Sequence, residues 1–253
     1  MRPYILSETN WNAVKDERFE LAILPWGATE AHNFHLPYSA DNIESDFIAA
    51  ESARIAWEKG AKVVVLPTVP YGVNTGQRDI YLDMNINPST QFAILSDIVD
   101  VLNHQKIFKL LILNSHGGND FKPFVRELGV KYPQMFISML NWYQAMDRKT
   151  YFENPGDHAE EMETSLLLHL RPELVLPFDK WGDGIEKKNK IKAFAEGWVW
   201  AERKWPRITD DTGAGNPKLA SREKGERFFN DLTGKIGELL VELCKADIEN
   251  LYE

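Results

Sequence analysis

Cysteine and long hydrophobic runs are the two features that this sequence has least of. Its 253 residues include one cysteine, Cys244, which excludes a disulfide within the chain. Cys244 falls in the apolar stripe of a predicted C-terminal helix, which favours a small buried side chain. No apolar stretch approaches the roughly eighteen residues of a transmembrane helix. The N-terminal residues are too polar for a signal peptide, so we expect a cytoplasmic protein with no membrane partner.

Basic clusters, internal repeats and low-complexity linkers are missing as well. The net charge is −9 and the sequence pI is about 5.3, which argues against nucleic acid as a partner. Hydrophobic residues make up 43% and charged residues 26%, as in ordinary soluble globular proteins. A length of 253 residues is within the range of one α/β unit. We therefore expect residues 1–253 to form a single domain.

Four short apolar runs predict buried parallel strands at 21–27, 62–72, 109–118 and 134–141. Each run ends in Gly, Pro or Asn, and helical patterns separate them. The predicted helices cover 42–59, 88–103, 121–131 and 217–249, and Pro88 suits a first helical turn. This alternation predicts a layered α/β fold with a mostly parallel central sheet and helices on both faces.

Polar residues follow all four predicted strands. Glu30, His32 and His35 come after the first strand and Asn74 after the second. The turn "NSHGGN" at 114–119 follows the third strand, and Asn141 and Trp142 follow the fourth. Because ligands bind at the carboxyl ends of strands in open parallel sheets, this edge is the predicted functional site.

The residue types at this edge favour a metal centre. Glu30 and His32 are two apart, so on an extended segment their side chains point the same way, whereas His35 has the opposite parity and is expected to brace the loop. Asp41 precedes a predicted helix, and His116 lies in a glycine turn. Oxygen and nitrogen ligands without a thiolate suit Zn²⁺, Mn²⁺ or Fe²⁺. A carboxylate such as Asp41 can bridge two such ions, and the pair acidifies water for hydrolysis.

A further cluster, "GDHAEEMETS" at 156–165, predicts a helix start. Asp157 is expected to cap this helix, with Glu160 completing a capping box. His158 is a candidate acid–base group, and Glu163 a candidate metal ligand or ligand-orienting group. The alternative is an acidic first turn that interacts favourably with the helix dipole. On the helix predicted at 42–59, Glu44 and Asp46 are expected to be solvated or capping.

The segment 172–216 is irregular and rich in tryptophan. Trp181, Trp198, Trp200 and Trp205 suggest a lid over the site or a subunit contact. A surface excursion that is packed by its own aromatic side chains is an equal alternative.

Three ordered motifs resemble the signature of the creatininase family. They are "PWGATEAHNFHLPYSAD" at 25–41, "NSHGGN" at 114–119 and "HAEEMETS" at 158–165. The resemblance implies a layered α/β fold, two divalent metal ions, amidohydrolase chemistry and a homo-oligomer such as a hexamer. It implies Glu30, His32, Asp41 and His116 as metal ligands, with Glu163 matching the glutamate of the third motif. His158 matches a histidine thought to move protons.

Three departures from the family pattern bear on the site. Creatininase itself has a metal-binding glutamate two residues after the histidine of the second motif, where this chain has Gly118. Either Glu163 or water must fill that place, or the second metal is weakly bound. The glycine after the first-motif histidine is Asn33 here. Asn74 and Gln77 replace a polar pair in the loop expected to meet substrate. We expect Asn74, Gly117, Trp142 and His158 to contact the substrate.

The expected function is hydrolysis of a small molecule, in which a metal-bound hydroxide attacks the carbonyl of a cyclic amide or formamide and the C–N bond is cleaved. His158 and Glu163 are the expected catalytic residues. Ring opening of a cyclic ketone or lactone on the same site is an alternative, because metal chemistry at a carbonyl does not depend on the leaving atom. A non-catalytic binding protein of the same fold is a second alternative, which Gly118 favours and the retained ligands oppose.

Overall fold

Four parallel strands form the centre of the fold in the computed structural model, which describes residues 2–154 and 156–252. Within these residues the strand order is β2-β1-β3-β4. The strands are β1 (Leu21–Trp26), β2 (Val63–Val65), β3 (Lys109–Asn114) and β4 (Phe136–Asn141). The helices in the same residues are α1 (Trp11–Val14), α2 (Ala40–Glu58), α3 (Pro88–His104), α4 (Lys122–Lys131), α5 (Glu161–Leu170), α6 (Lys192–Ala195), α7 (Trp205–Ile208) and α8 (Arg222–Lys245).

Alternate residues of β1 enter two separate hydrophobic cores. Leu21 and Ile23 face the core that α2, α5 and α8 cover, whereas Ala22 and Leu24 face the core under α3 and α4. Because both faces of the strand are covered, it is a continuous apolar run without polar alternation. Burial of each large aliphatic side chain contributes about 1.5–3 kcal/mol to folding. The predicted layered α/β fold with helices on both faces is confirmed.

The second strand is much shorter than predicted. Its ladder with β1 covers only Val63–Val65. Pro67 and Pro70 follow and have no N–H to donate to a ladder. Beyond β2 the chain stays alongside β1 through isolated backbone hydrogen bonds. In one of them Val69 N donates to the Pro25 carbonyl at 3.0 Å.

The C-terminal helix is also shorter than predicted, beginning at Arg222 and ending at Lys245. Ser221 caps it by accepting a hydrogen bond from Lys224 N, which fixes its first turn. Cys244 is buried in the core under this helix, as predicted. No helix in the described part of the chain is long and apolar enough to cross a membrane.

Parallel pairing brings the carboxyl ends of all four strands to one edge. The loops after β1, β2, β3 and β4 therefore lie side by side, with α2 starting beneath the first of them. The start of α5 reaches the same edge, since His32, Asp41 and Glu163 approach one another there.

Candidate metal centre

The loop between β1 and α2 carries the first buried ligands. Glu30 N donates to the Tyr38 carbonyl at 3.1 Å, which closes the loop on itself. Glu30, His32 and Asp41 are all buried, and Asp41 lies in the first turn of α2. Burying such charges is costly unless they are paired or bind a cation. The positions that the sequence predicts as ligands thus meet inside the protein.

Three histidine rings at the centre are oriented by backbone carbonyls. His32 Nδ1 lies 3.1 Å from the Glu30 carbonyl, His116 Nε2 lies 3.1 Å from the Val73 carbonyl, and His158 Nε2 lies 2.9 Å from the Ala31 carbonyl. A carbonyl only accepts, so each of these nitrogens carries the proton. The other ring nitrogens are left for the carboxylates or a metal, the arrangement usual for metal-binding histidines.

The free nitrogens point at shared carboxylate oxygens. His32 Nε2 lies 2.9 Å from Asp41 Oδ1, and His116 Nδ1 lies 2.8 Å from Glu30 Oε1 and 3.2 Å from Asp41 Oδ2. His158 Nδ1 is 3.9 Å from Glu30 Oε1. Three sets of ligand atoms, each within 4.8 Å of one another, could hold an ion: Glu30, His32 and His158; Glu30, Asp41 and His116; and His32, Asp41 and Glu163.

These residues fit a pair of divalent metal ions. Asp41 belongs to two of the three sets, as a bridging carboxylate must. Its Oδ2 is buried and lies 3.2 Å from His116 Nδ1, a nitrogen that is closer to Glu30 Oε1, which leaves a lone pair of Asp41 for a cation. The donors are oxygen and nitrogen atoms, a set that suits zinc, manganese or iron.

In the metal-free protein, the buried carboxylates and histidines shift the pKa values of one another. Burial alone would raise the pKa of Glu30, but the charges of His116 and His158 outweigh it, and the pKa of Glu30 is lowered. Burial alone would lower the pKa of His32, yet Asp41 and Glu30 raise the pKa of His32 to about 10. The pKa of His116 is raised for the same reason. Metal binding at neutral pH must therefore release protons from these rings.

Helix α5 begins later than predicted, which changes the places of Asp157 and His158. Glu160 is the N-cap and accepts a hydrogen bond from Met162 N, so the expectation that Asp157 caps this helix is wrong. Asp157 instead pairs with Arg203 at 2.6 Å. His158 lies before the helix, where its ring turns toward Glu30. Ala159 has a left-handed φ of 51° and its N–H donates to Glu163.

Gly118 occupies a place with no room for a side chain. A methyl group on Gly118 would collide with the Val73 carbonyl oxygen and would lie 2.5 Å from His116 Nε2. The hydrogen bond between these two atoms is the one that orients the His116 ring. A glutamate therefore does not fit here without moving that ring. The set formed by His32, Asp41 and Glu163 supplies a carboxylate from α5 instead.

Glu44 is the largest departure from the sequence-based expectation, because it is neither solvated nor capping. Its side chain is fully buried, and neither carboxylate oxygen has a hydrogen-bond partner within the described residues. Burial, together with the charges of Glu163, Asp41 and Glu160, raises its pKa well above the usual range. Asp46, by contrast, is exposed and accepts a hydrogen bond from Thr68, as expected for a surface residue. We therefore expect the Glu44 carboxyl to keep its proton behind the metal ligands while no metal is bound.

The residues predicted to contact substrate have different surroundings. Gly117 is exposed in the turn after β3, with open space around it. Asn74 is buried and its Nδ2 donates to the Met84 carbonyl at 3.1 Å. Trp142 is fully buried and its indole donates to Ser115 Oγ at 2.7 Å, so it packs in the core and offers no accessible surface to a ligand.

Tyr143 is a candidate site residue that the sequence did not indicate as such. It is half-buried, and burial followed by the charges of Asp41 and Asp157 raises its pKa. The only signal in the sequence is its position next to Trp142 after β4. His35, as predicted, does not join the ligands: its Nε2 lies 2.9 Å from Thr164 Oγ1.

The segment 172–216, termed the covering segment below, packs on the loops that carry the ligands. Trp181 stacks on His35 with ring centroids 4.7 Å apart, and Trp205 meets His158 edge-on at 4.9 Å. Glu202 bonds to Thr75 in the loop after β2. Trp198 and Trp200 are 72% and 85% exposed. The alternative of an excursion packed only by its own aromatic side chains does not hold for Trp181 and Trp205.

The structure defines an α/β protein with a parallel sheet and a buried carboxylate–histidine centre at the carboxyl edge of that sheet. The family model described as creatininase, creatinine amidohydrolase, matches residues 7–240. The chain therefore belongs to the creatininase family.

Two curated proteins are similar in sequence. A mycofactocin precursor peptide peptidase of Mycolicibacterium smegmatis is 24% identical over 220 residues, which cover 84% of this chain and 81% of that protein. A 3-dehydro-scyllo-inosose hydrolase of Thermotoga maritima is 27% identical over 185 residues, or 67% of this chain. The match covers 55% of the length of that hydrolase.

Solved structures share the fold over nearly the whole chain. A provisionally named creatinine amidohydrolase from Bacteroides fragilis is 42% identical, with all of both chains covered and a TM-score of 0.93. A mutant creatininase complexed with creatine is 22% identical, with a TM-score of 0.78 over 96% of this chain and 99% of that chain. Other solved creatininases include a zinc–zinc form and a manganese form.

We predict that Gly118→Ala weakens metal binding at least about tenfold, because the added methyl group displaces His116 from the Val73 carbonyl that orients it. The measurement is a competitive zinc titration against a chromophoric chelator. Gly117→Ala is the matched control, since a methyl group there meets nothing within 4 Å, and it should bind zinc like the parent. Equal zinc affinity in both variants would contradict this account of the turn.

We predict that Glu44→Gln gains stability relative to the parent as the pH rises. The folded pKa of Glu44 is raised, so the folded metal-free parent holds a proton that the unfolded chain releases above pH of about 4.3. As the pH rises, the free energy of unfolding of the parent therefore falls by up to about 1.4 kcal/mol per pH unit relative to that of the variant. Urea unfolding in chelator at pH 5 and pH 8 measures this difference.

Glu58→Gln on the exposed side of the same helix is the control for the substitution itself. A pH-independent difference for Glu44→Gln would show that Glu44 is charged in the folded protein. Loading the protein with zinc should reduce the pH dependence, because the cations neutralise Asp41 and Glu163.

Proposed function

We propose that this chain is a metal-dependent hydrolase that cleaves a C–N bond of a small cyclic amide or a formamide. The observation that carries the proposal is the orientation of His32, His116 and His158 by three backbone carbonyls, with their free nitrogens turned toward buried carboxylates. His116 Nδ1 is shared between Glu30 Oε1 at 2.8 Å and Asp41 Oδ2 at 3.2 Å, so one nitrogen serves two buried carboxylate oxygens, which a centre built only for stability would not need.

The proposed ligands divide into two sets that share Asp41. Glu30 and His116 would hold one ion, and His32 and Glu163 the other. Two divalent ions, when bound, acidify water and polarise the carbonyl oxygen of a substrate. Gln77 donates to Glu30 and thereby fixes the orientation of that carboxylate. In this proposal Glu163 supplies the carboxylate ligand that Gly118 cannot supply, which weakens the case for a non-catalytic binding protein.

His158 is the proposed proton donor to the leaving nitrogen. Its Nε2 is committed to the Ala31 carbonyl, so Nδ1 is the atom that takes up and delivers the proton. Nδ1 faces Glu30 Oε1 at 3.9 Å, on the side of the ring where the ligands converge. An amine leaves only when protonated, so this group matters most for amide substrates.

We propose that Gly117 and Tyr143 meet the substrate, Gly117 through its backbone and Tyr143 through its hydroxyl. Asn74 stays a proposed contact through Oδ1, which has no partner among the described residues. Trp181 and Trp205 support a covering role for the segment 172–216, whereas the exposed Trp198 and Trp200 support a contact with another copy in a homo-oligomer.

Ring opening of a cyclic ketone or lactone is the second candidate, favoured by the similarity to the 3-dehydro-scyllo-inosose hydrolase. The two candidates differ in the leaving group, because an enolate or an alkoxide depends less on a proton donor than an amine does.

We predict that His158→Gln retains its metal and loses about 10²–10⁴-fold of its rate on amides. The test measures bound metal and the hydrolysis of a panel of cyclic amides, formamides and lactones, with His104→Gln on the surface as the control. A selective loss on amides supports C–N cleavage, and lactone or ketone turnover with little amide turnover in the parent supports the second candidate. Loss of metal in His158→Gln would instead make His158 a ligand, as its grouping with Glu30 and His32 allows.

A further inference from the structure

Asn33 joins the metal-binding loop to the covering segment. It lies directly after His32 with a left-handed φ of 53°, and its side chain is buried. Asn33 Oδ1 accepts hydrogen bonds from Phe34 N at 2.6 Å and from Gly182 N at 2.9 Å. Asn33 Nδ2 donates to Asp211 Oδ2 at 3.5 Å. One side chain thus bonds to its own loop and to two points of the covering segment.

Asp211 gathers the covering segment around Asn33. Its Oδ2 also accepts from Gly184 N at 2.8 Å, and its Oδ1 accepts from Thr209 Oγ1 and Gly213 N, both at 2.9 Å. A methyl group on Gly182 or Gly213 would collide with Asn33 or Asp211, so these positions must lack a side chain. We use the term clasp for Asn33, Asp211 and the backbone of Gly182, Gly184 and Gly213.

The clasp continues through the backbone to His158. Gly215 N donates to the Gly184 carbonyl at 2.9 Å. The next residue back, Ala214, pairs with His158 in both directions: Ala214 N donates to the His158 carbonyl at 2.9 Å, and His158 N donates to the Ala214 carbonyl at 3.1 Å. The covering segment therefore fixes the backbone of His158.

The ring of His158 is held by the metal-binding loop. Its Nε2 donates to the carbonyl of Ala31, which lies two residues before Asn33 in the metal-binding loop. The backbone and the ring of His158 thus depend on two different segments, and Asn33 holds these two segments together. A shift of one segment against the other would break the bond that sets which ring nitrogen carries the proton.

We propose that Asn33 is a positioning residue that sets the ring orientation and tautomer of His158 by holding the covering segment against the metal-binding loop. The inference rests on the proposed function only for its effect on rate. Its structural part, the coupling from Asn33 to the His158 ring, holds whichever substrate the protein acts on.

The test uses zinc-loaded protein, which is diamagnetic, and the variant Asn33→Gly. Glycine accepts a φ of 53° without strain, so the variant removes the clasp contacts and keeps the loop conformation available. Lys106→Gly is the matched control, because Lys106 is exposed, has a left-handed φ of 63° and lies at the end of α3. Zinc content is measured first, and both variants should retain it.

Two readouts do not need a substrate. Ring ¹⁵N shifts of histidine-labelled protein, with His158 assigned through His158→Gln, should show a single Nε2-protonated tautomer in the parent and a mixture in Asn33→Gly. Hydrogen exchange of the Ala214 and His158 amides should become at least about tenfold faster in Asn33→Gly and stay unchanged in Lys106→Gly. Asp211→Asn, which disturbs the other half of the clasp, should shift the His158 signals in the same direction.

An unchanged His158 tautomer in Asn33→Gly with zinc retained would overturn the proposal, even if exchange of the covering segment became faster. If an amide substrate is found, kcat of Asn33→Gly should fall, and adding His158→Gln to this variant should lower kcat little further. An unchanged kcat in Asn33→Gly would also overturn the proposal. Failure of the hydrolase proposal would appear separately, as absence of turnover in the parent with the His158 signals still changed in the variant.

Discussion

Burial of carboxylates at the carboxyl edge of the sheet is the constraint on which the rest of this structure depends. Glu30, Asp41 and Glu163 are removed from water, and each must meet a positive charge or a proton. Asp41 and Glu30 raise the pKa of both His32 and His116, so these two rings supply positive charge in the metal-free protein. The rings of His32, His116 and His158 stay in place because backbone carbonyls hold one nitrogen of each. Glu44 extends the acidic cluster behind the ligands, where burial raises its pKa. The same arrangement couples metal binding to the release of protons and offers oxygen and nitrogen ligands to a divalent cation.

Much of this centre could be predicted from the sequence because it is built from strand ends. Apolar runs identified the four strands, and parallel pairing fixes where their ends lie, so Glu30, His32 and His116 were expected to meet. Glu44 could not be predicted, because helix α2 is covered by the core along one side and by polar site residues at its start, so periodicity does not mark its buried positions. The surroundings of His158 also escaped prediction, since a left-handed Ala159 delays the helix and redirects the ring. The burial of Trp142 was not predicted either, because side chains no longer alternate in direction once the chain leaves the strand and turns into a 3₁₀ helix.

The covering segment and the loop after β2 supply side chains that lie against the loops of the centre. We expect substrate choice to depend on these residues more than on the ligands. Trp205 lies against His158, and Asn33 ties the segment to the ligand loop at a point where the family signature has glycine. The named relatives include a mycofactocin precursor peptide peptidase and a 3-dehydro-scyllo-inosose hydrolase, so membership of the family does not fix the substrate.

Metal content per chain tests the central claim most directly. It is measured by inductively coupled plasma mass spectrometry on protein purified without chelator or a nickel column, for the parent, Glu163→Gln and His116→Ala, with circular dichroism to establish that each is folded. The account predicts close to two ions of zinc, manganese or iron per parent chain, about one in Glu163→Gln and a marked loss in His116→Ala. A folded parent that holds no metal and binds none on addition, or metal content that is unchanged in both variants, would contradict it.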